Sequence, residues 1–279
     1  MTTTTVFDLY RSPLNVWVED NLTREILTEL WQDSQLHVLN GGGGDGVRHL
    51  VKGAAAHPRL RGRVVGVVDR DFGNDNFNKW PDPQTTIFVL PVHEVENLLL
   101  DFEVLGALAS VSPEQVRDAA HGFAASRRWW MIGKAVVREL STDLAGHLPP
   151  DPPIDLPDGQ ALRTWLRDHD YWPNHRARCD RWQDDVHRAV RLETREAELN
   201  AHLGSDAWRD HFSGKEIFHH LRSHLNTLDR TPKHQQAATS AQRDEDLAKR
   251  IAREMRTRGR IPVPLQQLHT CLRARLKPT

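Results

Sequence analysis

The chain has 279 residues, with 37 Lys and Arg against 38 Asp and Glu, 38% hydrophobic residues and 27% charged ones, an ordinary composition for a globular protein. No run approaches the roughly 20 apolar residues of a membrane helix, and Met1–Thr5 has neither the basic start nor the apolar centre of a signal peptide, so a cytoplasmic protein with no membrane association is expected. Only Cys179 and Cys271 occur, at no ligand spacing, which argues against a disulfide framework and a thiolate zinc site.

The charge is graded along the chain. Residues 1–110 carry 9 Lys and Arg against 15 Asp and Glu, net −6, whereas residues 241–279 carry 10 against 4, net +6. An acidic start repels phosphate unless cations fill it, and the basic tail is either a nucleic-acid contact or a solvated helix face.

In chain order, Asn15–Val18, Arg63–Val68 and Thr86–Leu90 are apolar, β-branched and bounded by turn formers, and read as buried strands. Gln35–Leu39 is a weaker fourth strand, ended by Gly41–Gly44. Helical spacing of Leu22, Ile26, Leu27 and Leu30, and of Val47, Leu50 and Val51, fills the gaps. The order β-α-β-α-β-β-α predicts an α/β fold with a parallel sheet whose ligand site lies beyond the carboxyl ends of the strands.

After Glu96 the pattern becomes mainly helical. Ser112 and Asp158 are placed as helix N-caps, the Pro-rich run 147–153 is a connector, one long helix spans about Arg178 to Leu199, and residues 231–243 read as a loop before a helix over Asp244–Thr257. Two units of domain size fit, or one α/β domain with a large insertion. The predicted division is 1–105, 106–205 and 206–279.

The acidic residues of the first 110 positions fall at strand ends: Glu19 and Asp20 after the first strand, Asp69 and Asp71 after Val67-Val68, Glu94 and Glu96 after the last. Parallel strands bring these ends to one edge, and crowded carboxylates call for a hard divalent ion, Mg²⁺ or Mn²⁺. In an extended segment Asp69 and Asp71 would face the same way, with Arg70 turned aside.

The set Val16-Trp17-Val18-Glu19, Val67-Val68-Asp69-Arg70-Asp71-Phe72-Gly73 and His93-Glu94-Val95-Glu96-Asn97-Leu98-Leu99-Leu100 resembles TOPRIM-domain nucleases of the OLD-like and PARIS anti-phage defence effector type, over roughly residues 6–105. The resemblance implies a TOPRIM-like, Rossmannoid parallel sheet followed by a helical region, and a Mg²⁺- or Mn²⁺-dependent endonuclease acting on RNA, such as tRNA, or on DNA. It implies Glu19 as metal ligand or acid/base, Asp69 and Asp71 as a metal-binding pair, and Glu96 as a further ligand. Related nucleases carry Gly after the first Glu and a second acid four positions beyond it, where this chain has Asp20 and Thr23; Asp20 is the available substitute. The late catalytic lysine corresponds to Lys215 in Phe212-Ser213-Gly214-Lys215-Glu216. The resemblance further implies a toxic effector held in check by a separate ABC-type ATPase, and the tryptophans of the helical part suggest a homodimer. The alternative is a catalytically silent scaffold module of the same fold.

The remaining features stay open in meaning. Gly41–Gly44 is either a flexible turn or a phosphate cradle, and no Gly-rich nucleotide loop precedes Lys215. His219, His220 and His224 lack acidic or thiolate company at zinc spacing and read as surface residues.

Overall fold

The computed structural model describes residues 13–141, 150–169, 185–224 and 240–276. The expected connector residues 147–149, the start of the long helix before Asp185, the loop residues 231–239, Cys179, Trp172, Trp182, Tyr10 and Tyr171 lie outside the described residues.

The strands are β1 (Leu14–Val18), β2 (Leu36–Asn40), β3 (Val64–Val68) and β4 (Ile87–Val89), within two residues of expectation at each end. All pairings are parallel, in the order β2-β1-β3-β4, with Val16 opposite Val38 and Val65, and Val67 opposite Phe88. All five residues of β3 are buried, as a strand covered on both faces requires.

The crossovers are helical. α1 (Asn21–Trp31) starts at Asp20, whose Oδ1 accepts the Thr23 N–H at 2.8 Å, and it buries Ile26, Leu27 and Leu30. α2 (Gly44–Ala56) buries Val47, Val51 and Ala54 with Val64 and Val68 of β3. Each such aliphatic side chain contributes about 1.5–3 kcal/mol by leaving water.

After β4 come a 3-10 turn (Val95–Leu99), α3 (Phe102–Ala109) and α4 (Pro113–Ser126). Ser112 caps α4 as expected, and the cap is reciprocal: Ser112 Oγ accepts the Gln115 N–H at 3.2 Å while Gln115 Oε1 accepts the Ser112 N–H at 2.9 Å.

The chain divides into two units. One comprises Met1–Val116 with Gly214–Thr279, the other Arg117–Ser213. The second unit holds most of α4, then α5 (Arg128–Ser141), α6 (Gly159–Asp168), α7 (Asp185–Leu203) and α8 (Trp208–His211). Its core includes Met131, Ile132, Val136, Leu162, Leu192 and Trp208, and Glu139 of α5 pairs with Arg191 and Arg195 of α7. Asp158 caps α6 through the Ala161 N–H at 2.8 Å.

The first unit is completed by α9 (Gly214–His224), α10 (Ser240–Thr257) and α11 (Val263–Ala274). α10 starts earlier than expected, because residues 240–243, read as loop, continue the helix; Ala241, Gln242 and Arg243 all favour it. It buries Leu247, Ile251 and Met255 and packs along α1.

The basic tail pairs with the acidic start. Lys249 reaches Glu25 at 2.9 Å, Arg253 and Arg256 both reach Glu29 at 3.1 Å, Arg260 reaches Asp101 at 2.6 Å, and Arg273 and His269 reach Asp33. Arg275 donates to the carbonyls of Asp82 and Thr85 and lies over the Phe88 ring.

Candidate active site

Parallel pairing brings the carboxyl ends of the strands to one edge, and β1 and β3 are adjacent where the winding reverses, the place where open α/β sheets hold ligands. Glu19 follows β1 and Asp69 follows β3. They are joined directly: Glu19 Oε1 accepts the Asp69 N–H at 2.9 Å. Asp69 Oδ1 in turn accepts the Val95 N–H at 3.0 Å, which ties the end of β3 to the turn carrying Glu96. Glu96 is 3% exposed.

Asp71 reaches the site by a route the sequence did not suggest. The segment after β3 is not extended: Asp71 has φ 49, in the left-handed region, and Gly73 N–H bonds back to the Arg70 carbonyl at 2.9 Å. The expectation that Asp69 and Asp71 alternate along an extended strand is therefore corrected, because a turn replaces the pleat. Asp is among the few residue types that tolerate this conformation. His93 braces it: the Asp71 N–H donates to the His93 carbonyl at 2.9 Å, and His93 Nδ1 stands 2.6 Å from the Asp71 carbonyl. A carbonyl only accepts, so Nδ1 carries the proton. Phe72 packs edge-on against the same ring.

Lys215 is brought in from the far end of the sequence. Glu94 Oε2 accepts the Lys215 N–H at 2.8 Å, and the Glu94 N–H donates to Asn97 Oδ1 at 2.7 Å. A Cβ on Gly214 would stand 2.5 Å from the Asn97 nitrogen, so only glycine lets α9 dock this closely. The charge of Lys215 reaches Glu96 and favours its ionised form.

Burial and crowding dominate the electrostatics. Loss of water pushes Asp69 well above the usual carboxylate range, and the charges of Glu96, Glu19, Glu94 and Asp20 add to it. Glu96 is pushed up to about 8 by burial and then by Glu94 and Asp20. Burial also raises Glu19, with Asp71 and Asp20 adding, against the Asp69 N–H and Arg48. Glu19, Asp69 and Glu96 thus form one interacting group, with Asp71 acting on Glu19.

Oxygen-only donors that repel one another fit a hard divalent cation in kind. They are not preset for one: among the described residues no three His, Cys, Asp or Glu side chains form a cluster that would hold an ion as they stand. One oxygen of Glu19 and one of Asp69 are engaged by backbone amides. Asp20, expected as an available acid, already caps α1. The Thr23 side chain is buried, and its hydroxyl has no hydrogen-bond partner.

Glu94, His93, Asn97 and Arg48 were not assigned roles by the sequence reading. The capping pattern Glu94-x-x-Asn97 was a legible signal; the reach of Arg48 to Glu19 was not. Comparison with family models, with curated proteins and with solved structures found no match to this chain.

Proposed function

We propose that the chain is a metal-dependent endonuclease that hydrolyses phosphodiester bonds of RNA or DNA. The observation that carries the reading is the convergence of Glu19, Asp69 and Glu96 on one edge of the sheet, where Glu19 accepts the Asp69 N–H, Asp69 accepts the N–H of Val95 beside the buried Glu96, and the charges of Glu19 and Glu96 both raise Asp69. Such crowding costs stability in a carboxylate cluster with no cation and is a mark of functional sites. Glu19, Asp69, Asp71 and Glu96 would hold Mg²⁺ or Mn²⁺. The ion, when bound, lowers the pKa of an attacking water and stabilises the leaving oxygen. Glu19 takes up or returns the proton at its carboxylate, and Lys215, exposed at the start of α9, balances charge that develops on the phosphate. The TOPRIM resemblance adds the biological setting, an anti-phage effector whose toxicity a separate ATPase restrains, and the tryptophans of the helical part add a homodimer.

A second reading, a catalytically silent module of the same fold, is favoured by Thr23 at the position of the second acid and by the lack of a preset ion cluster among the described residues. Incubating the purified chain with mixed RNA and DNA in Mg²⁺, Mn²⁺ or EDTA, and sequencing new ends, separates the two. Metal-dependent ends absent from a Glu19→Gln preparation are expected. That substitution keeps the acceptor for the Asp69 N–H and should reduce cleavage by about 10² or more. No cleavage with either metal, or equal cleavage by the variant, overturns the nuclease reading.

A further inference from the structure

Much of the basic tail, open to either a nucleic-acid contact or a solvated face in the sequence, is paired within its own unit: Lys249, Arg253, Arg256, Arg260 and Arg273 meet carboxylates. Positive charge is concentrated elsewhere as well. Residues 44–63, α2 and the turn into β3, contain Arg48, Lys52, Arg59, Arg61 and Arg63 against Asp45 alone. Arg48, Lys52, Arg59 and Arg61 are exposed, and none forms a salt bridge among the described residues. Arg61 donates to the Ala55 carbonyl at 3.2 Å, which fixes it without cancelling its charge.

Placement gives this charge a direction. α2 turns Val47, Val51 and Ala54 to the core, so Arg48 and Lys52, one turn apart, share a flank outside the buried stripe. Arg48 lies in the first turns of the helix, whose start is held against Glu19: the Gly43 N–H donates to the Glu19 carbonyl at 2.7 Å, and a Cβ on Gly44 would stand 3.1 Å from Glu19 Oε1. The basic face therefore begins at the acidic edge and runs away from it along α2 to the turn at Arg59.

We propose that this face is the docking surface for the phosphodiester backbone of a nucleic acid, with Arg48 as the contact nearest the acidic edge. The partner follows from charge complementarity and from continuity with the site, and the proposal rests on the phosphodiester reading of that site. The contacts would be to phosphates, which hold a strand without reading its bases.

The test is fluorescence anisotropy with labelled single-stranded RNA and DNA of about 20 nucleotides, in EDTA so that nothing is cut, between about 50 and 200 mM salt. Replacing Arg48, Lys52 and Arg59 together with Gln should weaken binding by about tenfold or more. It should also flatten the slope of log affinity against log salt by roughly 0.7 per lost contact. Replacing Arg253, Arg256 and Arg260 with Gln should leave the slope unchanged. An unchanged slope in the α2 variant, a slope lost in the tail variant, no binding by the wild-type chain, or equal binding to polyglutamate overturns the proposal. Cleavage is scored separately with Mg²⁺: binding lost in the α2 variant of a chain that does not cleave would overturn the nuclease reading alone, whereas unchanged binding in a chain that does cleave overturns this one alone.

Discussion

Glu96 has a strongly raised carboxyl pKa, and its protonation ties the fold to pH. In the unfolded chain it ionises near its ordinary value of 4.5, but in the folded chain only near 8. Between those values unfolding releases a proton, so the stability it contributes is full below about 4.5 and is lost as pH rises through about 8. Asp69, raised for the same reasons, acts with the same sign. Thermal melts in EDTA should therefore fall in midpoint from about pH 5 to pH 8, with Glu96→Gln flattening the trend. Asp69→Asn keeps an oxygen for the Val95 N–H and removes the charge. At pH 8 without metal it should melt no lower than wild type, while cleavage assayed separately with Mg²⁺ disappears. A variant that unfolds in metal-free buffer at pH 8 would show that these carboxylates serve the fold, not the chemistry.

At the level of elements, the loops after β3 and β4 and the start of α9 form one assembly, held by His93 on Asp71 and by Glu94 on Lys215. His93→Phe keeps the ring bulk beside Phe72 but removes the donor to the Asp71 carbonyl, whereas His93→Asn offers an amide donor near the Nδ1 position. Mn²⁺ affinity by calorimetry should fall about 10- to 100-fold in the Phe variant, the usual cost of losing a group that orients a ligand, and recover partly in the Asn variant. Equal affinity in all three proteins would leave His93 a purely packing residue. Gly214→Ala drives a Cβ toward the Asn97 nitrogen and should cost about 1–3 kcal/mol as well as displacing Lys215. This element scale is also where the sequence was most and least readable. The strands were legible because Val64–Val68 is a continuous apolar run and because Glu19, Asp69 and Glu96 each follow such a run. The turn at Asp71 was not, since its left-handed backbone is held by His93, 22 residues away. Nor was the docking of Gly214 on Asn97: a Gly-Lys pair opens many helices, and only the fold shows what lies against it.

For the whole molecule, the gradient from −6 to +6 along the sequence is a folding device: both ends belong to the same unit, and the basic helices lie against the acidic ones. Exposed pairs of this kind contribute little individually, so the attachment must rest mainly on apolar contact. α10 and α11 bury Leu247, Ile251, Met255, Leu265, Leu268 and Leu272. At about 1.5–3 kcal/mol for each buried side chain, their loss is on the order of 10 kcal/mol, comparable to the whole stability of an ordinary domain. Residues 13–116 and 214–224 without α10 and α11 should therefore not hold the sheet. A chain ending at residue 239 is expected to lose the cooperative melt of this unit, and adding residues 240–279 as a separate peptide should restore it in proportion to peptide concentration. High salt gives the complementary measurement. If apolar burial dominates, about 1 M NaCl lowers the midpoint of the intact chain only slightly, because it screens the surface pairs and leaves the leucines in place. A truncated chain that still melts cooperatively, or an intact chain that dissociates its C-terminal helices in salt alone, would reverse that order of forces.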